Sequence, residues 1–230
     1  LLGEVFGIVF TVITGTIFRA PFFNLSGCFK ENMASAWFIS GSNLVAALIL
    51  HSDRILLRLF AEEERAVTIF YTASLVGKIV AMITTPLNGI VISYLTNYKI
   101  EMNKKRFAGI GALFMGLTVI GAAACCVVSM IFVKWRYPDI YEEASEFFFL
   151  ANLGQLLYFV SGSLMVVLLA FTEEKLQFII NLVYGISFAV IVIPVTYMWG
   201  ITGIAYGLVA VNTIRFVTVI ILGIGKLRKN

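Results

Sequence analysis

Histidine is almost absent from this chain. His51 is the only one in 230 residues, which nearly excludes His-based catalysis and His-rich metal sites. Cysteine is scarce too. There are three, and two of them (Cys125, Cys126) are neighbours inside an apolar run, so they form neither a disulfide framework nor a metal pattern and read as small packing residues. Charge is the third scarcity. Asp, Glu, Lys and Arg make up 13% of residues against 60% hydrophobic, with a mean hydropathy of +0.96, and that does not describe a soluble domain. No GxSxG, HExxH, phosphate-cradling loop or CxxC occurs, so the expectation is a protein that is not an enzyme and needs no cofactor or metal. Alternating ten-residue strands, the signature of a transmembrane barrel, are also missing.

What is present is apolar chain in long windows. Seven stretches are long enough to span a bilayer: about 1–18, 33–52, 66–97, 107–133, 146–171, 177–198 and 202–224. The connections between them are short. The expected fold is therefore all-α, a single polytopic bundle of about seven transmembrane helices over residues 1–230. Glycines such as Gly109, Gly111, Gly116 and Gly121 suit close helix packing in lipid. Gly200-Ile201-Thr202-Gly203 reads as a turn between helices, and Pro194 should bend the end of the sixth span. The chain opens at Leu1 in an apolar run with no charged leader, which is not a signal peptide. A further N-terminal portion is expected before it.

The basic residues of the connections set an orientation. One set contains Arg19, Lys30, Lys99, Lys104, Lys105, Arg106, Lys175, Lys226, Arg228 and Lys229; the other contains Arg54, Arg58, Arg65, Lys134 and Arg136. The larger set should be cytoplasmic, which places the C-terminus inside and Asp53 outside. Residues 53–64 then read as a short amphipathic segment at the outer interface. Trp135, Tyr137 and Tyr141 read as headgroup-level anchors, and the basic run 104–106 as a topogenic stretch touching anionic lipid rather than nucleic acid.

Charges inside the spans are the candidates for chemistry, because an ionisable residue in lipid is costly and marks a pathway or a ligand. In the third span Tyr71, Ser74, Lys78, Thr85 and Gly89 recur at steps of three, four and seven and share a face. Pro86 removes a backbone donor within it, so Pro86 and Gly89 read as a hinge. Residues 66–97 extend roughly 48 Å as a helix, against about 30 Å of hydrocarbon. Arg215 lies in the last span, one turn after Asn212 and roughly 16 Å before Lys226. Asn152 and Gln155 in the fifth span, with Asn181 and Tyr184 in the sixth, read first as helix-to-helix glue. Lys78 and Arg215 thus stand as two intramembrane cations without a deep carboxylate. They suit an anionic ligand such as a phosphate or pyrophosphate.

The order of these features resembles a known family. SDRILL (52–57), then IFYTASLVGK (69–78) and TTPLNGIVISYL (84–95), are similar to the seventh and eighth helices of Wzx-type polysaccharide flippases, within the multidrug/oligosaccharidyl-lipid/polysaccharide exporter superfamily. WGITGIAYGLVAVNTIRF (199–216) is similar to that family's last helix pair. The resemblance covers the chain as the C-terminal lobe of a two-lobe transporter. It implies alternating access around a cationic cavity, carrying an undecaprenyl-diphosphate-linked oligosaccharide from the cytoplasmic to the outer leaflet of a bacterial cytoplasmic membrane, for O-antigen, capsule or exopolysaccharide. The family's Asp-Arg pair at an external helix end maps onto Asp53 and Arg54, and its basic residue in the next helix onto Lys78. The implied partners are the lipid-linked oligosaccharide, membrane lipids, and an N-terminal lobe or second copy. The alternatives are a small-molecule exporter of the same superfamily and, less favoured, a membrane enzyme of polysaccharide assembly.

Overall fold

The computed structural model describes Phe10 and residues 27–61, 65–97 and 102–227. The first expected span, 1–18, therefore lies outside the described residues apart from Phe10. The chain divides into two compact units, Leu1–Trp37 and Phe38–Asn230. In the first, the described residues 27–37 turn into the opening of a helix, α1 (Phe29–Phe60), which continues into the second. The second unit adds α2 (Ala66–Ala73), α3 (Leu75–Asn97), α4 (Lys104–Arg136), α5 (Pro138–Ser145), α6 (Phe148–Leu169) and α7 (Glu174–Ser187). A π-helical turn (Phe188–Val192) and α8 (Ile193–Lys226) complete it.

The described residues are mostly helical, with no strand among them, and four apolar helical runs are long enough to cross a membrane. These are Asn32–Phe60, Lys104–Arg136, Phe148–Leu169 and Lys175–Lys226. The outward surface is apolar. Along α4, Leu113, Leu117, Ile120, Val127 and Ile131 are all exposed at helical spacing, whereas Thr118 and Ser129 are buried. Side chains that would be costly in hydrocarbon turn inward, which is the arrangement a lipid solvent favours.

Helix ends follow local chemistry. Asn103 caps α4 by accepting from the Arg106 N–H at 2.9 Å. Pro138 forces the preceding Tyr137 out of helical geometry (φ −136°, ψ 58°), which ends α4 and starts α5. The π turn at 188–192 comes just before Pro194, where the ring supplies no N–H and clashes with the preceding turn. The run Ile193–Lys226 is broken at Gly200, whose φ of 54° and ψ of −125° are open to glycine and strained for other residues. Beyond it the chain packs back on the π turn, with the Gly207 position in contact with Val192. The turn expected at 200–203 is thus present, and it divides the run between the stretches expected at 177–198 and 202–224.

Two stretches differ from expectation. Residues 53–60 are not an interfacial connection but the last two turns of α1, because Leu56 and Leu57 continue the buried face begun by Ile49. Residues 66–97 are broken at Ser74, between α2 and α3, while the helix runs on through Pro86 and Gly89. The interruption lies three turns earlier than the expected hinge.

α6 is the hub. It packs against α3, α4 and α8. Phe148 and Ala151 at its start belong to one apolar cluster with Leu57, Phe70 and Val211, and Leu164 and Leu168 near its end belong to another with Phe107, Ile180 and Phe216. Between these two clusters α6 carries Asn152, Gln155 and Tyr158, and this polar middle is where the charged residues meet.

Gly200→Ala should lower the unfolding midpoint of the detergent-solubilised protein, by about 1–3 kcal/mol for a strained φ. Gly225→Ala, where a methyl group meets open space, should leave it level or slightly raised. Chemical unfolding followed by circular dichroism compares the two.

Candidate functional site: an ion pair and a caged arginine

The site begins with an interrupted helix. In a regular helix the Gly77 N–H would pair with the Ala73 carbonyl four residues earlier. Here the Asn152 side chain bridges them. Its Oδ1 accepts from Gly77 N at 2.6 Å, and its Nδ2 donates to the Ala73 carbonyl at 3.1 Å. The same Nδ2 lies within bonding distance of Ser129 Oγ and the Phe148 carbonyl. Gly77 is required for this approach, since a Cβ there would meet Asn152 Oδ1 at 2.8 Å. Ser74, fully buried, donates from Oγ back to the Tyr71 carbonyl at 3.2 Å and helps to end α2. Asn152 is thus committed to backbone and to Ser129, and helix gluing, the first expectation, describes it better than a place on the cavity wall.

The break positions Tyr71 and Lys78 around α1. Lys78 Nζ donates to Asp53 Oδ2 at 3.0 Å, with the Asp53 side chain 5% and that of Lys78 21% exposed. Asp53 Oδ1 accepts from the Arg54 N–H at 2.9 Å. The Tyr71 ring has the Arg54 guanidinium carbon and Lys78 Nζ each 4.7 Å from its centroid. A cavity of about 260 Å³ opens beside this group, lined by Leu50, His51, Asp53, Arg54, Lys78, Met82 and Phe159.

Two expectations are corrected here. Asp53 and Arg54 do not stand at a helix end, because α1 runs on through Phe60 and holds Asp53 on its buried face. Lys78 is not an unpaired cation, because Asp53 meets it inside the bundle.

Arg215 is the second cation. It is 2% exposed and lies between two rings, with its guanidinium carbon 4.6 Å from the Tyr158 centroid and 4.9 Å from that of Tyr184. Nη1 donates to the Tyr158 carbonyl at 3.3 Å, and Nε has no hydrogen-bond partner. Asn212, one turn before, donates to the Gly154 carbonyl at 2.9 Å. A void of about 20 Å³, close to the size of one water, separates the two cations' surroundings. Asp53, Gln155, Tyr158, Tyr184 and Asn212 line it, and Gln155 Oε1 and Asn212 Oδ1 are without partners. Asp53 and Leu50 line both this void and the larger cavity, so the carboxylate stands at the boundary between them.

The structure therefore brings together Asp53, Arg54, Tyr71 and Lys78, and sets Gln155, Asn212 and Arg215 on the far side of Asp53. Pro86 and Gly89 lie beyond Met82, the last α3 residue of the cavity wall, and the Thr85 side chain lies outside the described residues. Sequence reasoning missed Tyr158, whose ring and carbonyl both hold Arg215, and the cavity-lining His51 and Phe159. The spacing of Gln155 and Tyr158 from Asn152, three and six residues along α6, was the available signal.

No protein-family model, curated protein or solved structure matches this chain. Its chemistry must be read from the site itself. Two cations (Arg54, Lys78) share the Tyr71 ring beside one buried carboxylate (Asp53), which pairs with Lys78, while Arg215 lies apart between two tyrosine rings. Among the described residues no three His, Cys, Asp or Glu side chains come together as a metal site. The local surplus is positive.

Asp53→Ala should destabilise the protein by about 3 kcal/mol, because it strands a lysine in the bundle. Asp53→Ala combined with Lys78→Met should recover much of that loss, giving a coupling term that equilibrium unfolding of the four members of the cycle measures. Asn152→Leu should cost about 1–3 kcal/mol for each backbone group it leaves unpaired. Amide hydrogen exchange should rise first around Ala73 and Gly77.

Proposed function

We propose that this chain is a membrane transporter component that moves an undecaprenyl-diphosphate-linked oligosaccharide from the cytoplasmic to the outer leaflet of a bacterial cytoplasmic membrane, as the resemblance to Wzx-type flippases implies. The observation that carries the reading is the positive surplus around Asp53 inside an apolar helical bundle. A diphosphate offers the charge that the surplus lacks. Lys78 supplies a point charge and Arg54 a planar fork on the same tyrosine ring, and both border a cavity open to ligand. Binding of the diphosphate competes with Asp53 for Lys78. The protein's part is to bind and release rather than to break a bond, so the proposal is a transporter and not an enzyme. Arg54 and Met82 face outward from the cavity wall, and a second lobe, from the same polypeptide or another copy, completes the path by alternating access.

The buried carboxylate supports a second reading. Asp53 is the kind of group that couples ion movement to export of small molecules, as in the multidrug branch of the same superfamily. Drug sensitivity that tracks expression, with no glycan defect, favours that branch.

Lys78→Ala and Arg215→Lys should each lower surface polysaccharide several-fold in a strain that depends on this chain, with the protein still present in the membrane fraction. Lys lacks the flat guanidinium that two tyrosine rings enclose, so the arginine change is not conservative. Unchanged polysaccharide in both variants sinks the assignment.

A further inference from the structure

A larger cavity lies elsewhere among the described residues. It measures about 890 Å³ and sits at the end where α1 finishes, α2 begins and the chain reverses at Gly200. Its wall includes Phe60, Arg65, Glu143, Glu146, Tyr197 and Trp199. Tyr197 is held edge-to-face against Phe60, with centroids 5.6 Å apart at 89°. Trp199 and Tyr197 are 61% and 71% exposed. Among the described residues no ion pair joins Arg65 to Glu143 or Glu146.

We infer that this cavity is a saccharide subsite, which takes the sugar end of the ligand whose diphosphate occupies the Lys78 site. The inference rests on the flippase reading and adds where the glycan lies. Two carboxylates against one guanidinium leave no positive surplus here, so a second phosphate is disfavoured. Hydroxyl groups suit the mixture, because they donate to Glu143 and Glu146 and accept from Arg65, while the indole and phenol faces cover a sugar's C–H surface. The volume falls within the range of small-ligand sites. Interfacial anchoring accounts for an exposed Trp and Tyr. It does not account for a concave wall that also holds two carboxylates and a guanidinium. Asp53 and Phe60 are seven residues apart on α1, about 10 Å along the helix.

The test uses the full chain in nanodiscs with Trp37 and Trp135 changed to Phe, so that Trp199 alone reports. Glucose, N-acetylglucosamine, maltotriose and, as an organic cation, tetraphenylphosphonium are titrated separately, and inorganic pyrophosphate is tested by thermal shift on the same sample. A saturable fluorescence change with at least one sugar, weakened several-fold in a Glu143→Gln/Glu146→Gln variant, supports the subsite. No saturable change with any sugar, or a change with tetraphenylphosphonium alone, overturns it. A pyrophosphate shift without a sugar response removes the subsite and leaves the anion site standing. A sugar response without a pyrophosphate shift keeps the saccharide cavity and removes the flippase reading beneath it.

Discussion

One side chain amide governs the geometry of the charged site. Asn152 takes the place of a single rung of helix, the bond from Gly77 N–H to the Ala73 carbonyl, and so lets α2 give way to α3 without leaving two backbone groups unpaired. In hydrocarbon those groups have no water to turn to, and an interrupted helix is tolerated only where protein satisfies what the interruption frees. The break matters because Tyr71 lies on one side of it and Lys78 on the other. Lys78 reaches Asp53 on the buried face of α1, and the Tyr71 ring meets Lys78 and Arg54 beside it. The ion pair, the cation-bearing tyrosine and the cavity beside them follow from that phase.

The second cation is solved differently. Arg215 has no carboxylate against it; two aromatic faces and a carbonyl take that part. The rings attract the guanidinium without neutralising it. The two cations therefore differ in what an incoming anion must do. For the proposed anionic ligand, Lys78 would have to give up a carboxylate, whereas Arg215 has two rings and a carbonyl. Asp53 borders both spaces, so a change in its pairing is felt on either side of it.

Much of this could be read from the residues. The apolar windows predicted helices, steps of three and four placed Tyr71, Ser74 and Lys78 together, and the depth of Arg215 below Lys226 marked it as internal. The location of Asp53 was legible too, but at a different scale. Taken as SDRILL it reads as the end of a span; taken with Ile49, Leu56, Leu57 and Phe60, at steps of four, three, one and three, it lies on a continuing buried face. What local pattern does not carry is the break at Ser74. A proline at 86 is a strong local signal and drew the hinge to itself, whereas the amide that interrupts the helix comes from residue 152, on another element. The link between Gly77 and Asn152 is tertiary, and no spacing within 66–97 contains it.

The charge balance then constrains how the proposed transport can work. A fully neutralised site would hold no anion, and a site with free cations would hold a diphosphate too firmly to release it. Arg54 and Lys78 on one ring, with Asp53 paired to Lys78, lie between these limits. Asp53 pairs with Lys78, so in the proposed transport an anion would have to compete with it, and the net attraction would be the difference of two large terms rather than either one. The tyrosine ring shared by Arg54 and Lys78 keeps two like charges close in the empty state, which an unscreened pair would resist. For the proposed carrier, cations opposed by an internal carboxylate would favour binding that can also be reversed, which release of cargo on the far side of a membrane requires.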